Sequence, residues 1–186
     1  MSDDWDWLIK QYNMVANEPV SWWITADNLL VASRFLCLHS AHQLSGKEFF
    51  ELHKKPPLPD ETKVYGVIQM LRGMAVEALL KGLWVDYGGT LAENGRYKKI
   101  PDTTEHQLVS LVEKVSTVIN LDLSSDERSV LEKLSISIID GRYPIRKLWE
   151  TRKPEKLPIW YVHRDEEIMA SMISKLKSKI KLKYQL

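Results

Sequence analysis

The sequence predicts an all-α fold, a helical bundle of four to five main helices with short accessory helices. Three observations carry that expectation. Apolar residues recur at helical spacing along most of the chain, capping boxes and Gly/Pro breakers punctuate the pattern, and no segment joins strand periodicity to β-rich content. The 186 residues, 44% of them hydrophobic and 27% charged, suit one domain with a core of its own. The expected organisation is a single domain over 1–186. It comprises an N-terminal arm or short helix at 1–20, a core bundle at 22–144, and a loop plus basic C-terminal helix at 145–186.

Trp5, Trp7, Leu8 and Tyr12 predict a short helix or arm packed on the body. After Pro19, Ser21 is a candidate N-cap for a helix from about Trp22 to His42, with Ala26, Leu29, Leu30, Ser33 and Cys37 on one face. Lys54-Lys-Pro-Pro-Leu-Pro59 breaks the pattern. From Asp60 runs the longest stripe, Val64, Val67, Ile68, Leu71, Ala75, Ala78, Leu79 and Leu83, ended by Gly88-Gly89. Gly66, Gly73 and Gly82 leave room on this central helix for a close neighbour. A long connection, 87–104, leads to Thr104-Glu-His-Gln107, which reads as a capping box ahead of Leu108, Leu111, Val112, Val115, Val118 and Ile119. A second box, Ser124-Ser-Asp-Glu127, opens a helix with Val130, Leu131, Leu134 and Ile138 inside, stopped by Gly141 and Pro144. The stretch 145–163 reads as a short helix and loop. The last helix runs from Asp165, buried through Ile168, Met169, Met172, Ile173, Leu176 and Ile180.

Composition excludes several classes. A single cysteine, Cys37, rules out an internal disulfide framework and fits a reducing compartment. No apolar run approaches the roughly 20 residues of a membrane span. The acidic start, Met1-Ser-Asp-Asp-Trp-Asp, is unlike a secretory signal, so no membrane association and a cytoplasmic location are expected. The near-neutral total hides an asymmetry: residues 141–186 hold twelve Lys/Arg against five Asp/Glu, leaving residues 1–140 net acidic. A basic end can attract a polyanion such as RNA, but on composition alone the favoured reading is a solvated helix whose lysines suit its C-terminal dipole.

Phosphate-loop, dinucleotide-binding, nucleophile-elbow, zinc-protease and di-iron Glu-x-x-His patterns are all missing. His39 and His42, three apart, are too few to close a metal site, and Cys37 on an apolar face is a packing residue; no metal and no cofactor are expected. Topology supplies a better constellation. The helices beginning near Glu105 and ending near Gly141 are joined by a short turn and should be antiparallel, which places His106 near Arg142 and Tyr143. Glu77 and Lys81, one turn apart on the central helix, can join them at one end of the bundle. Lys81 and Arg142 can grip a phosphate, His106 can transfer a proton near neutral pH, and Glu77 can orient it. The plainer alternative is an i,i+4 ion pair beside a helix-end arginine.

The segments Ala75-Val-Glu-Ala-Leu-Leu-Lys-Gly-Leu83, Glu105-His-Gln-Leu-Val-Ser-Leu111 and Gly141-Arg-Tyr-Pro144, in that order, resemble a branch of the HEPN superfamily over about residues 22–144. That resemblance implies a four-to-five-helix bundle, often a homodimer, in prokaryotic toxin–antitoxin, anti-phage or RNA-processing systems. An antitoxin or nucleotidyltransferase is the implied protein partner. Many members are metal-independent ribonucleases with an Arg and a His separated by four to six intervening residues. Here only Arg34 and His39 have that spacing, in the first major helix, and Arg142 has no His in range.

Three functions follow as expectations. The first is a HEPN-like protein that binds RNA or a nucleotide, catalytically degenerate, through Glu77, Lys81 and Tyr143 beside His106 and Arg142. The second is a metal-independent endoribonuclease using His106 and Arg142. The third is an interaction module anchored by Trp22, Trp23, Trp149 and Trp160.

Overall fold

A computed structural model of the chain describes residues 3–41, 64–142 and 162–181. Among these residues the elements are helices α1 (Asp3–Ala16), α2 (Pro19–Ala41) and α3 (Tyr65–Asp86), a ribbon of β1 (Ala92–Glu93) and β2 (Arg96–Tyr97), then α4 (Leu108–Val115), α5 (Ser125–Arg142) and α6 (Val162–Ser178). The fold is all-α apart from that ribbon. No helix among the described residues is long and apolar enough to cross a membrane.

The predicted stripe puts α3 at the centre, with Ile68, Ala75, Val76, Leu79, Leu80 and Leu83 buried. Helix α2 packs along it, α5 lies against a second side, and α4 and α6 close the bundle. Burying a leucine such as Leu79, Leu80 or Leu83 contributes about 2 kcal/mol by area transfer. The core is one connected cluster that also takes Trp23 and Ala26 from α2, Leu111 and Val115 from α4, Leu131 and Leu134 from α5, and Met172 and Leu176 from α6. The expected close approaches occur at two of the three glycines. A Cβ on Gly73 would stand 2.7 Å from Ile138 Cγ1, and one on Gly82 would run into the Trp23 indole. Gly66 faces open space.

Several boundaries differ from the sequence reading. Helix α2 starts at Pro19, whose missing N–H costs nothing in a first turn, so Ser21 lies inside the helix. The Ser124/Glu127 box forms: Ser124 Oγ accepts from the Glu127 N–H (3.2 Å), and Glu127 Oε2 accepts from the Ser124 N–H (2.8 Å). The Thr104/Gln107 box does not form, because α4 begins at Leu108 without a side-chain cap and its first N–H donates to Ser135 Oγ of α5 at 2.9 Å. Helix α4 also stops at Val115, leaving Val118 and Ile119 in the following turn. The last helix begins at Val162, one turn before Asp165. Tyr143, Trp149, Trp160, His42 and the short helix expected after 145 lie outside the described residues, as do the side chains of His39 and Arg142.

Buried ion pairs fasten α6 to the body. Arg72, 6% exposed, donates to Glu166 through both guanidinium arms (2.5 and 2.9 Å), and Lys133 meets Asp165 at 2.7 Å. Beside them burial pushes the Tyr65 phenol up to about 12, so it stays protonated. At the far end of α6, Asp86 Oδ2 accepts from the Lys181 N–H at 3.0 Å, and Tyr87 donates its hydroxyl to the Lys179 carbonyl at 3.0 Å.

Candidate functional site

Glu77 and Lys81 share one face of α3 because four residues advance a helix by about one turn. The other half of the site comes from the 87–107 connection, whose course is fixed by a turn and by α1. Asn94 and Gly95 both take positive φ (53° and 72°), the geometry that an Asn-Gly pair supplies between twist-matched strands. The ribbon is pinned from below. Asn17 Oδ1 accepts from the Leu91 and Ala92 N–H groups (2.7 and 3.1 Å), and Asn13 Oδ1 accepts from the Gly95 N–H (3.0 Å). Chain reversal then brings Tyr97 and Lys99 over α3. Beyond them Asp102 and His106 both adopt left-handed backbone, φ 59° and 63°. For a non-glycine side chain this is a costly conformation that clusters at ligand sites.

The result joins three of the expected residues. Glu77 Oε1 accepts from Lys81 Nζ at 2.6 Å, while Glu77 Oε2 faces His106 Nδ1 at 2.9 Å. An ionised carboxylate only accepts, so in this contact Nδ1 carries the proton and proton transfer falls to Nε2. Burial pushes Glu77 up, but the Lys81 charge and the bonds from His106 and Lys81 outweigh it and hold the carboxyl below its ordinary value. Burial likewise depresses Lys81, and Glu77 more than compensates, raising it. The pair is therefore charged across the neutral range. Lys81 Nζ also stands 5.3 Å from the ring centres of both Trp22 and Tyr97, an aromatic clamp on the ammonium.

Two cavities open on either side of this trio. One, of 230 Å³, lies under the ribbon and is lined by Glu77, Lys81 and His106 together with Tyr97, Lys99 and Thr103. The other, of 300 Å³, lies against α2, where Trp22, Leu29 and Met74 give an apolar wall to the same three polar residues. One cavity thus offers cations and hydroxyls beside the carboxylates of Glu77 and Glu105, and the other an aromatic, apolar slot.

Arg142 ends α5; its side chain, like Tyr143, lies outside the described residues. The antiparallel course of α4 and α5 does hold: Leu108 meets α5 at Ser135, two turns before Arg142 or about 10 Å along the axis. The sequence reading missed Tyr97, Lys99 and the clamping role of Trp22. The signal was present in Asn94-Gly95 followed by Arg96-Tyr97-Lys98-Lys99, a turn and then a basic, aromatic run.

The basic tail reads differently in three dimensions. Lys175 meets Glu127 at 2.7 Å, Lys177 meets Asp27 at 2.5 Å, and Arg164 meets Asp126 at 2.8 Å. These three cations of the last helix are matched by acids of the body. Among the described residues no group of three or more His, Cys, Asp or Glu is placed to hold a metal. Comparison with protein-family models, with curated proteins and with solved structures found no match.

Proposed function

We propose that the protein binds RNA or a nucleotide, with a phosphate in the cavity under the ribbon. The observation that carries this reading is the carboxylate of Glu77 shared between Lys81 and His106, beside Lys99. Glu77 is engaged by Lys81 and His106 Nδ1, which leaves Lys99, and His106 when Nε2 also carries a proton, as the groups that meet an anion. Thr103 lines the same cavity, and the exposed Arg96 and Lys98 flank Tyr97 on the ribbon. The apolar slot against α2 suits a nucleobase, since a base offers a flat apolar face wherever its phosphate is held. In this reading the ribbon supplies the electrostatic footprint.

A second reading, a metal-independent endoribonuclease, is favoured by one observation, the Glu77–His106 contact. A carboxylate on Nδ1 fixes the tautomer and aims Nε2, the arrangement a general base requires. In that chemistry His106 takes the proton of the 2′-hydroxyl, which attacks the neighbouring phosphorus. Lys99 and Arg142 then stabilise the pentavalent phosphorane, the bond from phosphorus to the 5′-oxygen breaks, that oxygen leaves with the proton His106 had taken, and a 2′,3′-cyclic phosphate remains. The biological partners that accompany either reading are a second copy of the chain and an antitoxin or nucleotidyltransferase in a prokaryotic defence or RNA-processing system.

Binding of a labelled RNA in low and high salt tests the first reading. Affinity at about 50 mM salt that falls as salt rises supports it, and absence of binding there removes it. Cleavage in EDTA that is lost in His106→Ala supports the second reading, and cleavage equal to the wild type in that variant removes His106 from the chemistry.

A further inference from the structure

Helix α2 is apolar on two nearly opposite faces. One face is in the core, with Trp23, Ala26 and Ser33 buried against α3. On the other, Ile24, Val31, Phe35 and Leu38 are 57%, 61%, 74% and 59% exposed. With the exposed Asn28 they form a run at 24, 28, 31, 35 and 38, alternating steps of four and three. That spacing is a heptad seam carrying one polar residue, the pattern by which helices pair and fix their register. A stripe of large exposed apolar side chains on a helix already packed by its other face marks an interaction surface. Two exposed charges, Asp27 and Arg34, border the seam on the same side, one heptad apart.

We infer that this face is the contact between two copies of the chain, with their α2 helices antiparallel about a two-fold axis. The occupant follows from complementarity of the face with itself. When Ile24 packs against the partner's Phe35, and Asn28 against the partner's Val31, Asp27 lies opposite the partner's Arg34. The two-fold repeats every pairing, giving one Ile–Phe layer and one Asn–Val layer at each side of the axis and two reciprocal ion pairs. A parallel pairing places Asp27 and Arg34 opposite Ala32 and His39 and gains neither ion pair. Asp27 already accepts from Lys177 of its own chain, and its second carboxylate oxygen serves the partner's guanidinium. The apolar seam supplies the affinity, while the charges set orientation and register. Four apolar side chains and their flanks are part of the ~800 Å² that a stable interface buries on each partner, so the dimer dissociates on dilution. Trp22 and Leu29, which line the cavity, lie on the core side of α2. The inference therefore stands apart from what the cavity binds.

Light scattering over a concentration series tests it, with Lys177→Ala present in every protein so that Asp27 is read against Arg34 alone. The parent gives twice the chain mass at high concentration and the single mass on dilution. Phe35→Glu gives the single mass throughout. Asp27→Arg and Arg34→Asp, each placing like charges in both symmetric pairs, weaken the dimer about tenfold or more, and the double reversal recovers it. A parent that is a monomer at every concentration overturns the inference. So does a dimer indifferent to Phe35→Glu, which uses another face. A dimer sensitive to Phe35→Glu but not to either charge reversal overturns the antiparallel register.

Discussion

His106 stands in left-handed backbone, which costs an L side chain roughly 1–2 kcal/mol, and its ring meets Glu77 at 2.9 Å. The conformation turns the imidazole back onto α3 instead of out along α4, which is why the Thr104/Gln107 box gives way. His106→Gly removes the strain and His106→Ala keeps it, so the glycine variant should be the more stable by about 1 kcal/mol in urea unfolding. Both should lose the ligand, separating stability from binding. Glu77→Gln strips the partly buried Lys81 ammonium of its counter-charge, an expected cost of about 3 kcal/mol. The sign with pH is definite. The folded carboxyl lies below its ordinary 4.5, so its contribution is complete above that pH and disappears as pH falls through the depressed folded value. The stability gap between wild type and Glu77→Gln should be flat from neutral pH to about 4.5 and close below it.

At the scale of elements, the start of α4 depends on a neighbour. Its first N–H donates to Ser135 Oγ, and both residues are buried. Ser135→Ala leaves that donor without a bond, at a cost of about 1–3 kcal/mol, whereas Ser124→Ala at the box of α5 costs about 1 kcal/mol. Chemical unfolding of the two variants checks both values. This contrast also shows what was legible in the sequence. The box at Ser124 is satisfied within four residues, so spacing alone identifies it. The bond from Leu108 to Ser135 spans 27 residues and exists only after α4 and α5 pack. The pair Glu77 and Lys81 was legible because helical periodicity puts them on one face. Tyr97 and Lys99 were not, because their place depends on an Asn-Gly reversal anchored by Asn13 of α1 and by Asn17 just beyond its end, about eighty residues earlier.

Across the whole molecule, the described cations Arg164, Lys175 and Lys177 of α6 meet acids of the body as partners within one fold. The net charge of each half was plain from composition, but which charges remain for solvent depends on α6 lying across α3 and α5. In the Arg72–Glu166 fork the arginine is the buried partner, and Glu166→Gln, which strips it of its counter-charge, should lower stability by about 3 kcal/mol while unfolding stays a single transition. Exposed pairs such as Arg164–Asp126 should each contribute less than about 1 kcal/mol. If anions are met at the ribbon, removing a ribbon cation and removing a tail cation must have different effects. The affinity of a labelled RNA, measured as salt rises from about 50 mM, for wild type, Lys99→Ala and Arg164→Gln, reads this directly. The account predicts tight low-salt binding by wild type and Arg164→Gln, with Lys99→Ala about tenfold weaker and its salt slope reduced by about one. No binding at low salt, or a Lys99→Ala protein indistinguishable from wild type, would contradict it.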